Sequence, residues 1–431
     1  MEMKKYKLGE ICKIYGRIGF RGYTTKDLVE KEDDGAITLS PTNIIDGELD
    51  YSNNTYLNWN KYYESPEIIL EENNIVLVKT GSSLGKTALV RKLFHPTTLN
   101  PQFVVLKDIK ANPVYFSYLI KSDYFQKNIA AIKVRSAIPT LSQEDLGSIK
   151  IFLPNREIQN KIGTILSAFD NKIALNRRMN AKLEAMAKQL YDYWFVQFDF
   201  PNENGKPYKA SGGKMEYNEV LKREIPAGWE VKKLGSLFTT NRGVSYSTKT
   251  ITGDKGIPMI NLASFSPDGS YKIDGIKTYT GEYTNEKVLK PFDLVMCNTQ
   301  QTAIDFSKDI IGKALLVPDI FDGDITSSHH VNTLKVQNEK LKFYLYRLFN
   351  TDYFHAYISH FASGTNIMGL DFAGVENYSA VIPSKEVLSK FADFTLNIEK
   401  KKSEIIRENK KLISLRDRLL PLLMNGQVEV R

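Results

Sequence analysis

Gly81-Ser82-Ser83-Leu84-Gly85-Lys86-Thr87 comes nearest to catalytic chemistry in this sequence, because glycine-rich turns ending in Lys-Thr can wrap a nucleoside triphosphate. Its glycines are separated by three residues where that motif has four. A strand-like run, 88–93, follows where a long helix should begin, and His95-Pro96 ends the run. A second copy, Gly312-Lys313, lacks the upstream glycine. The stretch reads better as a Gly-Lys turn whose backbone N–H groups and lysine can meet a phosphate. His329-His330 are adjacent and cannot share a metal as a helical i, i+4 pair would. Cys12 and Cys297 lie too far apart in the chain to suggest a disulfide framework or metal-ligand spacing. No Asn-Pro-Pro-aromatic methyltransferase signature occurs, and no dinucleotide glycine fingerprint opens a helix. Acid pairs such as Asp33-Asp34 sit in polar, loop-like surroundings where a solvated surface is the default. We therefore expect no catalytic residue, no metal and no cofactor bound by this chain.

The elements that carry these residues must belong to more than one domain. A chain of 431 residues with 42% hydrophobic content predicts two or three domains with real cores. The formal charge of +8 is spread along the chain and forms no polybasic tail. It permits nucleic-acid binding only where folding gathers it on a face. No apolar run reaches 18 residues, and the charged N-terminus has no apolar run behind it, so neither a membrane span nor a signal peptide is expected. With two isolated cysteines, this suggests a cytoplasmic protein.

One long repeat organises the sequence. Lys7-Leu8-Gly9 returns as Lys233-Leu234-Gly235 at an offset of 226, and Gly85-Lys86-Thr87-Ala88-Leu89-Val90 returns as Gly312-Lys313-Ala314-Leu315-Leu316-Val317 at 227. Asp123-Tyr124-Phe125 returns as Asp352-Tyr353-Phe354 and Leu183 as Leu412, both at 229. Each repeat begins with short β-like runs (75–79, 88–93, 103–106 and 149–153 in the first), interrupted by a helical stretch over 112–131. Each ends in a strongly periodic helix. In the first helix, 156–196, Ile162, Leu166, Phe169, Ile173, Leu183, Ala187, Leu190 and Trp194 alternate steps of four and three, the heptad seam of a coiled coil. In the second, 386–425, Phe391, Ile398, Ile405, Leu412, Leu419 and Leu423 make the matching seam, and Gly426 is a plausible stop. Asn176 and Asn180 fall on the first seam and Asn409 is the repeat mate of Asn180, positions where asparagine sets register and partner choice. About 40 residues at about 1.5 Å each make a rod of about 60 Å, longer than a domain of this size needs for its own packing. The predicted class is α/β (α+β): two pseudo-repeated domains joined by two long antiparallel coiled-coil helices. The divisions are 1–155, a helix at 156–200, a linker at 201–224, a second domain at 225–385 and a helix at 386–425. A globule-rod-globule-rod order related by an approximate twofold lets a single chain imitate a homodimer, and such dimers read two half-sites on DNA.

Ile225-Pro226-Ala227-Gly228-Trp229-Glu230 with Lys233-Leu234-Gly235, Phe169-Asp170-Asn171-Lys172-Ile173 with Tyr193-Trp194-Phe195, and Leu415-Arg416-Asp417-Arg418-Leu419-Leu420-Pro421 with Asn425-Gly426 together carry a family pattern. The chain, over essentially its whole length, resembles the specificity (S) subunit of Type I restriction-modification systems. That resemblance implies two target-recognition domains that read a split, asymmetric sequence in double-stranded DNA. It also implies helices that dock two methyltransferase (M) subunits and recruit motor-nuclease (R) subunits. The partners would use S-adenosylmethionine, and ATP with magnesium, respectively. Side chains able to meet phosphates or read base edges in loops nominate Arg17, Arg21, Asn43, Ser82, Lys86, Arg135 and Ser136 in the first repeat. Arg242, Tyr246, Gln300, Gln301, Lys313, Thr365 and Asn366 are nominated in the second. Extra residues around 299–310 suggest a changed contact surface there. Arg135→Ala should relax reading of one half-site, and Asn180→Leu should disturb register or docking more than stability. Two other readings compete: a stand-alone nuclease or ATPase using the 81–87 loop, and a coiled-coil interaction scaffold without a nucleic-acid partner.

Overall fold

Strand Ile75–Val78 is apolar and buried at every position, as expected of a strand covered on both faces. In the computed structural model, which describes residues 2–133, 140–251, 255–301 and 308–428, it is central to the first of two units. That unit comprises Met1–Ala174 with Lys410–Arg431, and the second comprises Leu175–Asn409.

In the first unit, Ile75–Val78 lies between Thr87–Leu89 and Phe103–Lys107, both antiparallel, and Lys13–Tyr15 adds to the far edge of Phe103–Lys107. A second sheet runs in the order Thr97–Leu99, Gly35–Leu39, Tyr56–Asn58, Leu28–Val29, its first pair parallel. A separate ladder joins Lys4–Lys7 to Lys150–Leu153. Alternation along the central strand divides the interior. Ile75 and Leu77 point into a core with Tyr115, Phe116, Ile162 and Leu166. Val76 and Val78 point into another with Ile37, Leu39 and Leu99. The single helix predicted over 112–131 is two, Pro113–Lys121 and Asp123–Lys133. Asn112 caps the first by accepting from the Tyr115 N–H, with Pro113 at the position where a missing N–H is harmless. Ser122 ends it in extended backbone, and its hydroxyl then accepts from the Phe125 N–H at the start of the next.

The second unit repeats this plan. Leu294–Cys297 lies between Ala314–Leu316 and Val331–Val336, and Phe238–Arg242 adds to the far edge of Val331–Val336. The second sheet orders Lys277–Tyr279, Ile257–Ile260, Thr326–Ser327, with the last pair parallel, and Glu230–Lys233 pairs with Ser379–Ile382. Leu294 and Met296 enter one core, Val295 and Cys297 the other. The segment expected as a linker is itself structured. Met215–Asn218 pairs with Arg223–Pro226, and Phe200 stacks on Tyr208 at 4.5 Å and Trp229 at 4.9 Å.

The periodic helices are Arg156–Tyr191, whose first turn is capped by the Asn155 carboxamide, and Lys385–Met424. Ile162, Leu166, Ile173, Asn176 and Ala187 are buried on the first, and Phe391, Ile398 and Ile405 on the second. The first unit takes Ile162 and Leu166 from one helix and Leu423 and Met424 from the other into the same core. The second unit does the same with Tyr191, Trp194, Val387 and Phe391. After Tyr191 the helix widens into a π turn, Asp192–Val196, which buries Trp194 and Phe195. Within the second unit, Asn176 bonds to Asn409 and Glu184 to Lys402, so the segments run antiparallel. No described helix is long and apolar enough to cross a membrane.

Candidate nucleic-acid interface

The Gly-Lys turn is built the same way twice. Gly85 N–H donates to the Val78 carbonyl and Gly312 N–H to the Cys297 carbonyl, each closing the connection after a central strand at 2.9 Å. Both glycines have positive φ, 91° and 70°, and a Cβ would lie 2.7 Å from Gln126 Oε1 in one case and 2.8 Å from Ile358 in the other. Positive φ favours glycine at both positions, and at Gly312 the packed Ile358 leaves no room for a Cβ as well. A strand, not a helix, follows each turn, which removes the geometry of a triphosphate loop. What the turns present differs. Ser82 and Lys86 are exposed, whereas Lys313 is buried.

Beyond the second turn the two units diverge. Thr80 bridges Thr140, with hydroxyls 3.2 Å apart, and at the equivalent place Thr299 pairs with Gly369. There the second unit builds a three-stranded sheet from Thr299–Gln301, Ile367–Leu370 and Ala362–Ser363. Its tip, Gly364, Thr365 and Asn366, is exposed. Arg135 and Ser136, in the matching part of the first unit, lie outside the described residues, as does most of the extra segment after Gln301. The strand carrying Gln301 pairs that residue with Ile367.

Several nominated side chains are committed to the interior and should be reassigned from contact to support. Arg17 is 6% exposed and donates to the Leu99 and Arg21 carbonyls and to the Ser65 and Thr98 hydroxyls, with its guanidinium 5.1 Å from the Tyr23 ring. Burial lowers its pKa, against the pull of Tyr23 and Glu67. Asn43 is buried in its own turn, accepting from the Ser40 N–H and donating to the Asp50 and Asn53 carbonyls. Gln300 is buried and accepts from the Ile310 N–H. Arg21 stays half-exposed beside Glu67.

Arg242 and Tyr246, nominated as contacts, gather with His329 and His330, which the sequence offers only as a rejected metal pair. Arg242 Nε donates to the His329 carbonyl at 2.7 Å, Tyr246 packs against His329 and His330 with centroids 5.3 and 6.1 Å away, and Lys277 lies over the Tyr246 ring. Burial, then His329, Arg242 and Lys277, lower the His330 pKa, so the ring is neutral at neutral pH. Its Nδ1 lies 2.7 Å from the Thr299 hydroxyl. Cations, aromatic faces and hydroxyls in one place suit phosphate and base contacts. Among the described residues no three His, Cys, Asp or Glu side chains gather as a metal site. Cys12 and Cys297 are buried and unlinked, and burial pushes each thiol up to about 12.

The seam asparagines also sort themselves. Asn176, 1% exposed, donates to Asn409 at 2.9 Å and to Glu408 at 2.7 Å, whereas the Asn180 carbonyl oxygen is buried without a partner among the described residues. The register bond is made by Asn176.

Two repeated folds with unlike loops, each packed on segments of the long helices, are the architecture of a two-part recognition protein. Residues 1–185 and 226–414 match the model of the Type I restriction modification DNA specificity domain, and the chain belongs to that family. The Type I restriction enzyme MjaIX specificity subunit of Methanocaldococcus jannaschii is 27% identical over 363 residues, covering 82% of this chain and 78% of that one. The HindI specificity subunit of Haemophilus influenzae is 24% identical over 360 residues, covering 71% and 74%. The crystal structure of the Type I system S subunit from M. genitalium aligns over 98% of this chain and 96% of its own, with 13% identity and a TM-score of 0.55, a likeness of fold. The protein is a non-catalytic subunit that recognises DNA sequence for a Type I restriction-modification system.

Proposed function

We propose that each unit reads one half of a split, asymmetric sequence in double-stranded DNA, and that the long helices dock methyltransferase subunits and recruit motor-nuclease subunits in the cytoplasm. The observation that carries this reading is a single strand plan used twice with different loops. A common scaffold with unlike contact surfaces suits two unlike half-sites. Ser82, Lys86 and Arg21, with Arg135 and Ser136, serve the first half-site. Arg242, Tyr246, Gln301, Thr365 and Asn366, joined by Lys277 and His330, serve the second. Arg17, Asn43 and Gln300 hold loops in shape. Adenine methylation with S-adenosylmethionine, and ATP- and magnesium-dependent motion, belong to the partners.

Methyl incorporation by the full chain with its methyltransferase, on a library of random duplexes, tests the reading. One split sequence should be recovered, and Arg242→Ala should relax bases in one half while leaving the other unchanged. Incorporation independent of sequence, or loss of both halves together, would overturn it.

A further inference from the structure

Register matches the two folds residue by residue at the end of the central strand. Leu106 faces Ile75 and Lys107 faces Lys13, as Leu334 faces Leu294 and Lys335 faces Thr239. Counting onward puts Lys79 at the place of Asn298, and Gly16 at the place of Arg242. Backbone bonds agree: Lys79 N–H donates to the Gln102 carbonyl at 2.7 Å and Asn298 N–H to the His330 carbonyl at 3.0 Å, while their own carbonyls accept from Leu141 and Leu370 at 2.9 and 2.8 Å. In the second unit Arg242 Nε and Asn298 Nδ2 meet at the His329 carbonyl, and Asn298 also donates to Asn332 at 2.8 Å. In the first unit the cation comes from the other strand. A Cβ built on Gly16 would lie 3.4 Å from Lys79 Nζ, so the ammonium occupies the space that a side chain at 16 would enter. Val104, in the place of Asn332, offers it no acceptor, and among the described residues it has no hydrogen bond or ion pair. The lysine is partly buried, which lowers its pKa, and among the described residues no carboxylate opposes that. An ammonium that is partly desolvated and unpaired calls for an acceptor from outside.

We propose that Lys79 is a specificity-determining residue of the first unit, reading base-edge acceptors in its half-site from the place where the second unit presents Arg242. The inference rests on the reading that each unit serves one half-site. Lysine can donate to guanine O6 and N7 in the major groove. Val104 and the Gln143 side chain border the same space over Gly16, within 3.4 Å of a Cβ there, so the ammonium is held where the exposed Lys86 is free to sweep. A held donor tells bases apart, whereas phosphates recur at every nucleotide. Sequence order hides the exchange, because the cation changes strand between the repeats.

The test compares the parent, Arg242→Ala, Lys79→Met and Lys79→Asn by methyl incorporation into random duplexes, each full chain with its methyltransferase. Lys79→Met should lose about tenfold of the discrimination at one or two base pairs, in the half that Arg242→Ala leaves unchanged. Lys79→Asn, which installs the second unit's own residue without its arginine, should relax the same positions. Lys79→Met removes an unpaired ammonium and should fold, and circular dichroism checks both variants. An unchanged base pattern in the folded Lys79 variants, with the parent and Arg242→Ala behaving as expected, overturns this inference alone. So does even weakening at every sequence, which would make Lys79 a phosphate contact, or relaxation in the half that Arg242→Ala relaxes. A parent that recovers no split sequence overturns the two-half-site reading and this inference with it.

Discussion

Each recognition fold is tied to the long helices at the same repeat position, but by different chemistry. In the first unit Tyr118 donates its hydroxyl to Asp170, which also takes Arg416 at 2.7 Å. In the second, the equivalents of Tyr118 and Asp170, each 229 residues on, are Arg347 and Glu399. Arg347 binds both Glu399, at 2.9 Å, and Glu184, and Lys402 closes the network on both carboxylates. One anchor is a phenol on a partly buried ion pair. The other is a four-charge network around an arginine that is 5% exposed. Desolvation makes the second less forgiving, because taking away one member leaves an opposite charge stranded. Near-identical topology thus conceals unequal tolerance of change.

Arg347→Met is the largest break. It leaves Glu184 and Glu399 sharing Lys402 alone, two carboxylates on one cation, and a loss of about 3–5 kcal/mol in the second unit is expected from denaturant unfolding. Asn176→Leu comes next, with about 1–3 kcal/mol lost because Asn409 and Glu408 lose a buried donor. Asn180→Leu, where the carboxamide oxygen has no partner among the described residues, should cost less. The reverse ranking would show that the register bond lies elsewhere. Acid sharpens the contrast. Burial pushes the Glu184 carboxyl up, but Arg347 and Lys402 outweigh it and hold the group down at about 2, against an ordinary 4.5. A depressed carboxyl stabilises fully above about pH 4.5, and that stability drains away as pH falls toward 2. In a Trp59→Phe background the remaining tryptophans, Trp194 and Trp229, report on the second unit. Their unfolding midpoint should fall across that window, and Glu184→Gln should flatten the dependence. An unchanged slope would mean that the network contributes nothing. The smallest effect is Tyr118→Phe, about 1 kcal/mol by the same denaturant measurement, since Arg416 still holds Asp170.

The repeat, the class and the helices were legible because they rest on period and order. Ile75–Val78 and Leu294–Cys297 are apolar runs wherever they are placed, and heptad spacing names its own buried face. Contact residues were less legible because the same side chains serve inside and outside. Nothing local separates Arg17, whose partners Thr98 and Leu99 are 81 and 82 residues away, from Arg242 on an open face. Asn176 and Asn180 share a seam, and what faces each decides which bonds. His329-His330 could have been flagged as part of a contact cluster only by noticing that Tyr246 and Lys277 converge on them, a tertiary fact.

Leu423 and Met424 sit in the same core as Leu8 and Phe116, which has a bearing on synthesis. A nascent chain has every residue of the second unit before it has residues 410–424, so the unit begun first is completed last. Its core stays open during translation and needs protection from proteases or aggregation meanwhile. Ribosome-bound chains from which residues up to Asn409, but not 410–424, have emerged should show protease cuts within 1–174 while 175–409 resists, and the cuts should vanish once Met424 has emerged.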